Sequence, residues 1–403
     1  MKIAITGASG YLGQQLVPKL RAAGATLLLV GRSPESLRSL FPECEASSYD
    51  ELMRAGEGCE ALVHLAVLNN DKDATYEEFE RVNVKLAVDT CRQATELGIK
   101  RFVYLSSSHA LDDNNTSFYA TSKRAAAAAL NRMSGIDIRL LYLPAIVGEP
   151  LAGRLSVLNR LPRVIRIPAL KVVGTLWPTA IVDQVSKSIL ALSAGTVQVN
   201  SPLVVSDGQR NNLVFNAIKR SVDLAFAVTI LILLWWAMII IWAAIRLQSP
   251  GPGIFRQQRV GRNEQIFTCY KFRTMFVATP NLGTHQVSAS AVTPLGKFMR
   301  RTKLDELPQI FNILFDQMSL VGPRPCLPTQ VELIAERRTR KVFDSKPGIT
   351  GLGQINGVDM SDPVRLANWD RRYLDLQSLL LDLRIILATA RGKGGGDNTN
   401  RSQ

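Results

Sequence analysis

Histidine is scarce and cysteine unpaired along this 403-residue chain. The three histidines, His64, His109 and His285, are too dispersed to suggest a zinc site, and the five cysteines (Cys44, Cys59, Cys91, Cys269 and Cys326) include no Cys-x-x-Cys pair. An odd, scattered set of thiols excludes a disulfide framework and reads as reduced cysteine in a cytosolic setting. Neither zinc-finger spacing nor a repeat of basic and aromatic residues is present, so no nucleic-acid partner is expected. Acidic residues are outnumbered: the formal charge is +14 and the pI about 9.8, which points to an anionic partner. With nucleic acid set aside, anionic lipid and phosphorylated substrates remain. The chain runs straight into an apolar strand, so no signal peptide is expected. Apolar residues are plentiful, 46% of the whole and ample for sizeable cores, and two domains are the natural expectation at this length.

The densest chemistry lies between Arg300 and Pro325. Asp305 and Glu306 stand side by side behind Arg300, Arg301 and Lys303, and Ile310, Phe311, Ile313 and Leu314 follow at helical spacing. Pro308 suits the first turn of such a helix, where its missing N–H costs nothing. Asp305 is thereby expected near a helix start, whose N–H groups and macrodipole favour anions, a bound phosphate included. The stretch closes in Gly322-Pro323-Arg324-Pro325, a stiff turn presenting an arginine fork suited to phosphate oxygens. Alone, the Asp-Glu pair would read as the charged start of a capped amphipathic helix. Its neighbours change that reading. Lys271-Phe272-Arg273-Thr274-Met275, Leu304-Asp305-Glu306-Leu307-Pro308-Gln309, Val321-Gly322-Pro323-Arg324-Pro325, Pro347-Gly348-Ile349-Thr350-Gly351 and Gln354-Ile355-Asn356-Gly357 follow in order. Together they closely resemble the bacterial sugar transferase family, the monotopic phosphoglycosyl transferases, from Lys219 to Arg391.

The resemblance implies a UDP-sugar and a polyprenyl (undecaprenyl) phosphate as substrates, a polyprenyl diphosphate-sugar as product, and the start of a bacterial glycoconjugate. Asp305 would be the nucleophile on the sugar-linked phosphate. Glu306 would assist in proton or metal handling, and Mg2+ held by Asp305 and Glu306 is expected because a hard cation neutralises a diphosphate. Arg324 is the expected phosphate clamp, with Lys271 and Arg273 extending the anionic pocket, although surface charge or lipid contact is an equal alternative for these two. Gln354 and Asn356 are polar contacts without an assigned role. The arginine often found after Asn-Gly in this family is replaced by Val358. Asp370 and Tyr373 fit the family's later Asp…Tyr pattern, with a structural role as the alternative. Ser378 to Ala390 is an apolar amphipathic stretch suited to a membrane interface.

The N-terminal half has a different character. Met1 to Thr6 reads as a strand, Gly7-Ala8-Ser9-Gly10-Tyr11-Leu12-Gly13 as a glycine turn, and the residues through about Ala23 as a helix. This context lets Gly7, Gly10 and Gly13 bring backbone against a pyrophosphate. A second strand, Thr26 to Val30, ends at Arg32, where an NAD-selective domain usually has an acid; the cation suits the extra phosphate of NADP(H), with NAD(H) the alternative. Strands at Ala61 to Leu65 and Arg101 to Leu105, with a helix between them from about Glu77 to Leu97, predict a doubly wound parallel sheet. Tyr119 and Lys123, four apart, share one helix face. There the ammonium can lower the phenol pKa and hold a cofactor ribose, making Tyr119 a proton donor. With His64-Leu65-Ala66, Asn83 and the run Ser106-Ser107-Ser108 in place, residues 1–208 resemble an extended short-chain dehydrogenase of the sugar-nucleotide epimerase/dehydratase/reductase group. The resemblance assigns the hydroxyl partner to Ser108, with Ser107 as the alternative. The module is short for that group, so its substrate lobe is reduced, and Ala125 to Ala129 replace an acid often found after the lysine.

Between these halves, residues 209–218 read as a linker and 219–248 as a membrane-inserted helix whose uncharged core runs from Leu224 to Ile245. Such a helix could just cross a hydrocarbon core of roughly 30 Å. Lys219 and Arg220 before it, and Arg246, Arg256, Arg259 and Arg262 after it, put basic charge at both ends, which opposes crossing. A re-entrant helix is therefore expected, as the family resembled uses, although Trp235-Trp236 stand where a proline break is usual. The expected architecture is α/β: a Rossmann-type doubly wound sheet, this helix, a small α/β-type catalytic domain at 249–391 with interfacial amphipathic helices, and a flexible tail at 392–403. The combined expectation is a transferase with a fused NADP-dependent reductase or epimerase, at the cytoplasmic face of a bacterial inner membrane, with membrane lipids as partners and a homo-oligomer left open. A non-catalytic nucleotide-binding first domain, acting as a regulator or scaffold, is the alternative. A pure oxidoreductase with a degenerate membrane domain is disfavoured by the intact motifs at Leu304–Gln309 and Gly322–Pro325.

Overall fold

The computed structural model describes residues 1–69, 74–196, 202–277 and 291–394. His285 and the tail from 395 onward lie outside the described residues. The chain divides into two compact units, Met1–Asp207 and Gly208–Gln403.

In the first unit, short apolar segments that can be covered on both faces become parallel strands. β1 (Lys2–Thr6), β2 (Thr26–Val30), β4 (Ala61–His64), β5 (Arg101–Ser107) and β6 (Asp137–Leu143) each hold a buried run of aliphatic or aromatic residues, as doubly covered strands require, while β3 (Glu45–Ser47) is a short, more polar edge strand. β7 (Ala145–Val147) and β8 (Thr179–Ile181) form a separate pair, and β9 (Leu203–Val204) closes a seven-stranded parallel sheet in the order β3-β2-β1-β4-β5-β6-β9. Strand order reverses between β1 and β4, with Ile3 opposite both Leu27 and Ala61. The crevice at that reversal is where doubly wound sheets bind ligands. The core on one side collects Ile3, Ile5, Leu16, Leu20, Leu29 and Val63, all fully buried.

The helix expected between β4 and β5 is present but not uniform. Tyr76–Phe79 is α-helical, Glu80–Lys85 widens to a π-turn and Leu86–Glu96 resumes the α-helix. The π-turn carries Asn83 into the core, where its amide donates to Ser122 Oγ (3.0 Å) and clasps the backbone of Leu68. π-bulges concentrate at functional sites.

The second unit opens on one helix, Leu213–Gln248, capped at its start by Asn212. It begins inside the segment expected as linker, so residues 213–218 are helix rather than connection. A re-entrant break is not seen either: the helix runs uninterrupted through Trp235-Trp236, as expected where no proline removes a backbone donor. Between Phe226 and Ile245 one narrow side touches its own unit, through Phe226, Ala227, Ile230, Met238 and Ile245, while most of the apolar stretch is uncovered, with Ile232, Leu233, Trp235, Ile239 and Ile240 exposed on the other side. The basic pair in its second turn is not a free flanking charge. Lys219 bonds Asp382 (2.5 Å) and the Val321 carbonyl (3.0 Å), and Arg220 donates to the carbonyls of Ile313 (2.7 Å) and Leu314 (3.2 Å).

The rest of that unit is assembled against this helix. β10 (Ile254–Val260) and β11 (Ile266–Phe272) form an antiparallel hairpin, and β12 (Ser319–Val321) pairs in parallel with β13 (Gly348–Thr350). Helices at Pro294–Thr302, Gln309–Leu314, Val331–Thr339, Pro363–Leu376 and Leu379–Ala390 surround them.

Candidate active sites

In the second unit the acidic pair sits on a sharp connection. The helix Pro294–Thr302 ends at Lys303, whose left-handed backbone (φ 59°) reverses the chain, and Leu304–Glu306 form a single 3-10 turn before Gln309–Leu314. Asp305 therefore lies one turn ahead of a six-residue helix, too short for much of a dipole. Both carboxylates are nearly buried, yet their surroundings differ. Oε1 of Glu306 accepts from Lys271 Nζ at 2.7 Å and lies 3.3 Å from Arg324 Nη2. Among the described residues no hydrogen bond or ion pair reaches the Asp305 carboxylate.

Electrostatics separates the pair further. Burial, then the charge of Glu306, push Asp305 up to about 6 against Lys271, Arg300 and Arg324. Burial also acts to raise Glu306, but Lys271 and Arg324 outweigh it and hold that carboxyl well below its ordinary range. Two neighbouring carboxylates driven apart in this way commonly mark a division of roles.

The loop that carries Arg324 is fixed by its backbone. Arg337 Nη1 donates to the Arg324 carbonyl (2.8 Å), Arg259 Nη1 to that of Pro325 (2.9 Å), and Gly348 N to that of Pro323 (2.9 Å). The two glycine turns touch: a Cβ on Gly348 would fall 2.1 Å from Gly322 N. Arg259, Cys269, Gln309 and Gly348 line the same pocket as Lys271, Glu306 and Arg324. Sequence reasoning did not single out Arg259 for this site, because it read the residue only as a flanking charge of the membrane segment. The Arg337 link was also missed, since nothing in spacing ties it to Arg324.

Arg273 does not join the cluster. Its guanidinium is buried against the carbonyls of Ser249 (2.7 Å) and Pro250 (3.0 Å) and the Ser249 hydroxyl (2.8 Å), closing the C-terminus of the long helix. Cationic groups satisfy terminal carbonyls in this way. Asp370 pairs with Arg337, and Tyr373 donates to Asp382 (2.8 Å), so both serve the framework. Gln354 donates to the Ile349 carbonyl (3.3 Å), and exposed Asn356 to that of Leu352 (2.8 Å).

In the first unit, the glycine turn occupies the crevice between β1 and β4. Gly7 has φ +72°, and a Cβ there would meet Ala66 N at 2.5 Å; one on Gly13 would meet Ala8 Cα at the same distance. Gly10 is less confined, with only the Gly7 carbonyl near, at 3.3 Å, so bare backbone can face a ligand there. Arg32 is exposed just past β2.

Tyr119 and Lys123 lie one turn apart on the helix Phe118–Leu130. Lys123 is buried, donates to the Leu105 carbonyl (2.8 Å) and stands 4.6 Å from the Tyr104 ring centre; burial lowers its pKa to about 7. Ser106 and Ser107 are buried at the end of β5, the Ser107 hydroxyl accepting from His109 N, while Ser108 is half-buried at the start of the next turn. His64 bonds Thr6 Oγ1 (3.0 Å) and is held neutral by burial, its pKa lowered to about 3.

The chain matches the family model described as bacterial sugar transferase over residues 214–393, and that of the NAD dependent epimerase/dehydratase family over residues 3–178. A UDP-glucose:undecaprenyl-phosphate glucose-1-phosphate transferase of Xanthomonas campestris pv. campestris is 35% identical over 60% of this chain and 51% of its own length. The chain thus spans about half of that relative. An uncharacterized sugar transferase, EpsL of Bacillus subtilis (strain 168), is 37% identical over 43% of this chain and 86% of its own. Among solved structures, a UDP-N-acetylglucosamine 4-epimerase from Bacillus cereus aligns over 52% of this chain and 78% of its own, with 21% identity and a TM-score of 0.40.

Proposed function

Because the chain belongs to the bacterial sugar transferase family, we propose that its second unit moves a phosphosugar from a UDP-sugar to polyprenyl phosphate through a covalent intermediate on Asp305. The observation that carries this reading is the asymmetry of the acidic pair. Glu306 is locked by Lys271 and Arg324, while Asp305 stands beside the same cations with no hydrogen bond or ion pair to its carboxylate among the described residues. An Asp305 oxygen bonds to the sugar-linked phosphorus as the bond to the bridging diphosphate oxygen breaks, and UMP leaves with that electron pair. An oxygen of polyprenyl phosphate then attacks the same phosphorus, returning the electron pair to Asp305. Arg324 and Lys271 hold the charge that develops on the phosphoryl oxygens. Of the acidic pair, Asp305 has the room to share Mg2+ with substrate phosphates, in the manner of sites that use a single carboxylate, whereas Glu306 is already neutralised by Lys271 and Arg324. When bound, the ion supplies charge neutralisation at the diphosphate.

The helix Leu213–Gln248 is long and apolar enough to cross a membrane. Both its halves pack on the same globular unit, so a crossing would draw that unit into hydrocarbon. This supports attachment from one side, which we assign to the cytoplasmic face of the bacterial inner membrane, where UDP-sugars are made.

The first unit is read as a nicotinamide-dependent reductase or epimerase acting on a sugar nucleotide. The Gly7–Gly13 cradle fits a dinucleotide pyrophosphate, and exposed Arg32 fits the 2′-phosphate of NADP(H). The cofactor supplies hydride chemistry when bound. Lys123 is held to orient the ribose, and Tyr119 to pass its phenolic proton to a carbonyl oxygen.

The test is UMP release by the full chain with a panel of UDP-sugars, magnesium and undecaprenyl phosphate. Sustained release that requires the lipid acceptor is expected; hydrolysis indifferent to the acceptor would sink the transferase reading. Tyr119→Phe should abolish any redox turnover while leaving transfer of a finished sugar intact. A domain that only senses nucleotide would be indifferent to that substitution.

A further inference from the structure

The segment joining β7 to β8 carries a surface that the proposed chemistry leaves unused. Between Leu151 and Val182 the sequence holds five basic residues, Arg154, Arg160, Arg163, Arg166 and Lys171, and no acidic one. Glu149 lies 3.5 Å from Arg163 and 3.1 Å from Arg166, and one carboxylate cannot neutralise two guanidiniums. The helix Arg163–Leu176 within this segment is apolar yet hardly covered. Val164 is 84% exposed, Ile165 54%, Ile167 53% and Val172 49%, with Trp177 just beyond at 50%. An exposed apolar patch of this kind marks an interaction site.

Its chemistry selects the partner. Branched aliphatics and a tryptophan mixed with basic side chains are the composition of a helix lying in a membrane interface. A second copy docking through the same face would bring two sets of cations together across a two-fold axis, which is repulsive. A lipid surface carrying negative headgroups meets both features at once.

We infer that the helix Arg163–Leu176 is a second, separate membrane contact, by which the nucleotide-binding unit docks on anionic lipid. The inference rests on the reading of Leu213–Gln248 as the anchor that keeps the chain at a membrane. The two contacts differ in kind. The anchor is uncharged and depends on hydrocarbon, whereas this helix depends on headgroup charge. Docking would hold the nucleotide-binding unit at the surface where the second unit meets its lipid acceptor.

The test uses the full chain carrying Val164→Cys, labelled with an environment-sensitive fluorophore; the five native cysteines are buried. The protein is reconstituted in phosphatidylcholine vesicles with or without phosphatidylglycerol. Flotation reports the anchor, and quenching by spin-labelled lipid reports the helix. The expected result is flotation with both vesicles and quenching that is strong only with phosphatidylglycerol. Lys171→Gln should weaken the docked state about fivefold, the effect of one charge near such a surface. A probe at Leu40→Cys, on the exposed helix Pro34–Leu40, should stay unquenched. Flotation without quenching at position 164 overturns the docking while leaving the anchor standing. Shielding of the probe that needs no lipid and grows with protein concentration assigns the face to a second copy and also overturns it. Failure to float overturns the anchor and the docking together.

Discussion

The buried pair Arg337–Asp370 offers the sharpest perturbation, because one arginine both pairs with Asp370 and holds the loop that carries Arg324. Nε of Arg337 donates to Asp370 Oδ2 at 2.9 Å, and Nη2 stands 2.7 Å from the same oxygen, with 1% of Arg337 and 3% of Asp370 exposed. Its Nη1 donates to the Arg324 carbonyl at 2.8 Å. Asp370→Asn keeps the volume but leaves a guanidinium buried without its counter-charge, at a cost of roughly 3–5 kcal/mol. In a unit of this size each kcal/mol moves Tm by about 2–4 °C, so a fall of roughly 6–20 °C is expected by differential scanning fluorimetry. The double variant Arg337→Met with Asp370→Leu removes both charges and should regain most of that loss, since apolar replacement of a buried pair is often neutral or better. Transfer activity should not return with it, because the Arg324 carbonyl has still lost its donor. A Tm shift for Asp370→Asn under about 2 °C, less than one kcal/mol by the same conversion, would refute the energetic argument. Full activity in a refolded double variant would refute the positioning role.

Three further outcomes follow from the same geometry. The acid limb of kcat/KM should fall near pH 6, where burial and Glu306 place Asp305, with the rate rising as that carboxylate ionises; in Glu306→Gln the neighbouring negative charge is gone, so the limb of the residual activity should move to lower pH, and a limb that moves up contradicts the assignment. Lys271→Met removes a cation bonded to Glu306 at 2.7 Å and should lower kcat/KM about 10²–10³-fold, the scale for losing one donor from a charge-stabilising site, with a loss under threefold arguing for a surface role. Gly7→Ala sets a Cβ 2.5 Å from Ala66 N at φ +72°, and should abolish nucleotide binding measured by calorimetry while UMP release by the second unit persists.

Much of the framework could be read from local pattern. The apolar strands and the glycine turn of the first unit repeat at short range, and the long helix is announced by an unbroken apolar run. What could not be read was partnership over distance. Arg273 looked like a phosphate ligand because it follows Lys271 in a motif, yet it lies just past the end of β11, where the strand's alternation no longer aims it, and it closes a helix terminus. Lys219 and Arg220 looked like membrane-flanking charge, and only the fold shows their carbonyl and Asp382 partners, some 90 to 160 positions along the chain. The π-turn at Glu80–Lys85 was hidden for another reason. A single extra residue in a helix leaves almost no trace in periodicity, although Asn83, polar on an otherwise apolar face, was a signal that could have exposed it.

The central claim is that Asp305 carries the phosphosugar. Its most direct measurement is intact-protein mass spectrometry after mixing the purified full chain with its UDP-sugar, in the absence of polyprenyl phosphate. The account predicts a mass gain of one phosphosugar, stoichiometric UMP release, localisation to the peptide containing Asp305, and loss of the adduct on adding polyprenyl phosphate. Asp305→Asn should show neither adduct nor UMP. An adduct that survives Asp305→Asn, or sustained transfer by the wild-type chain with no adduct at any time, would contradict it.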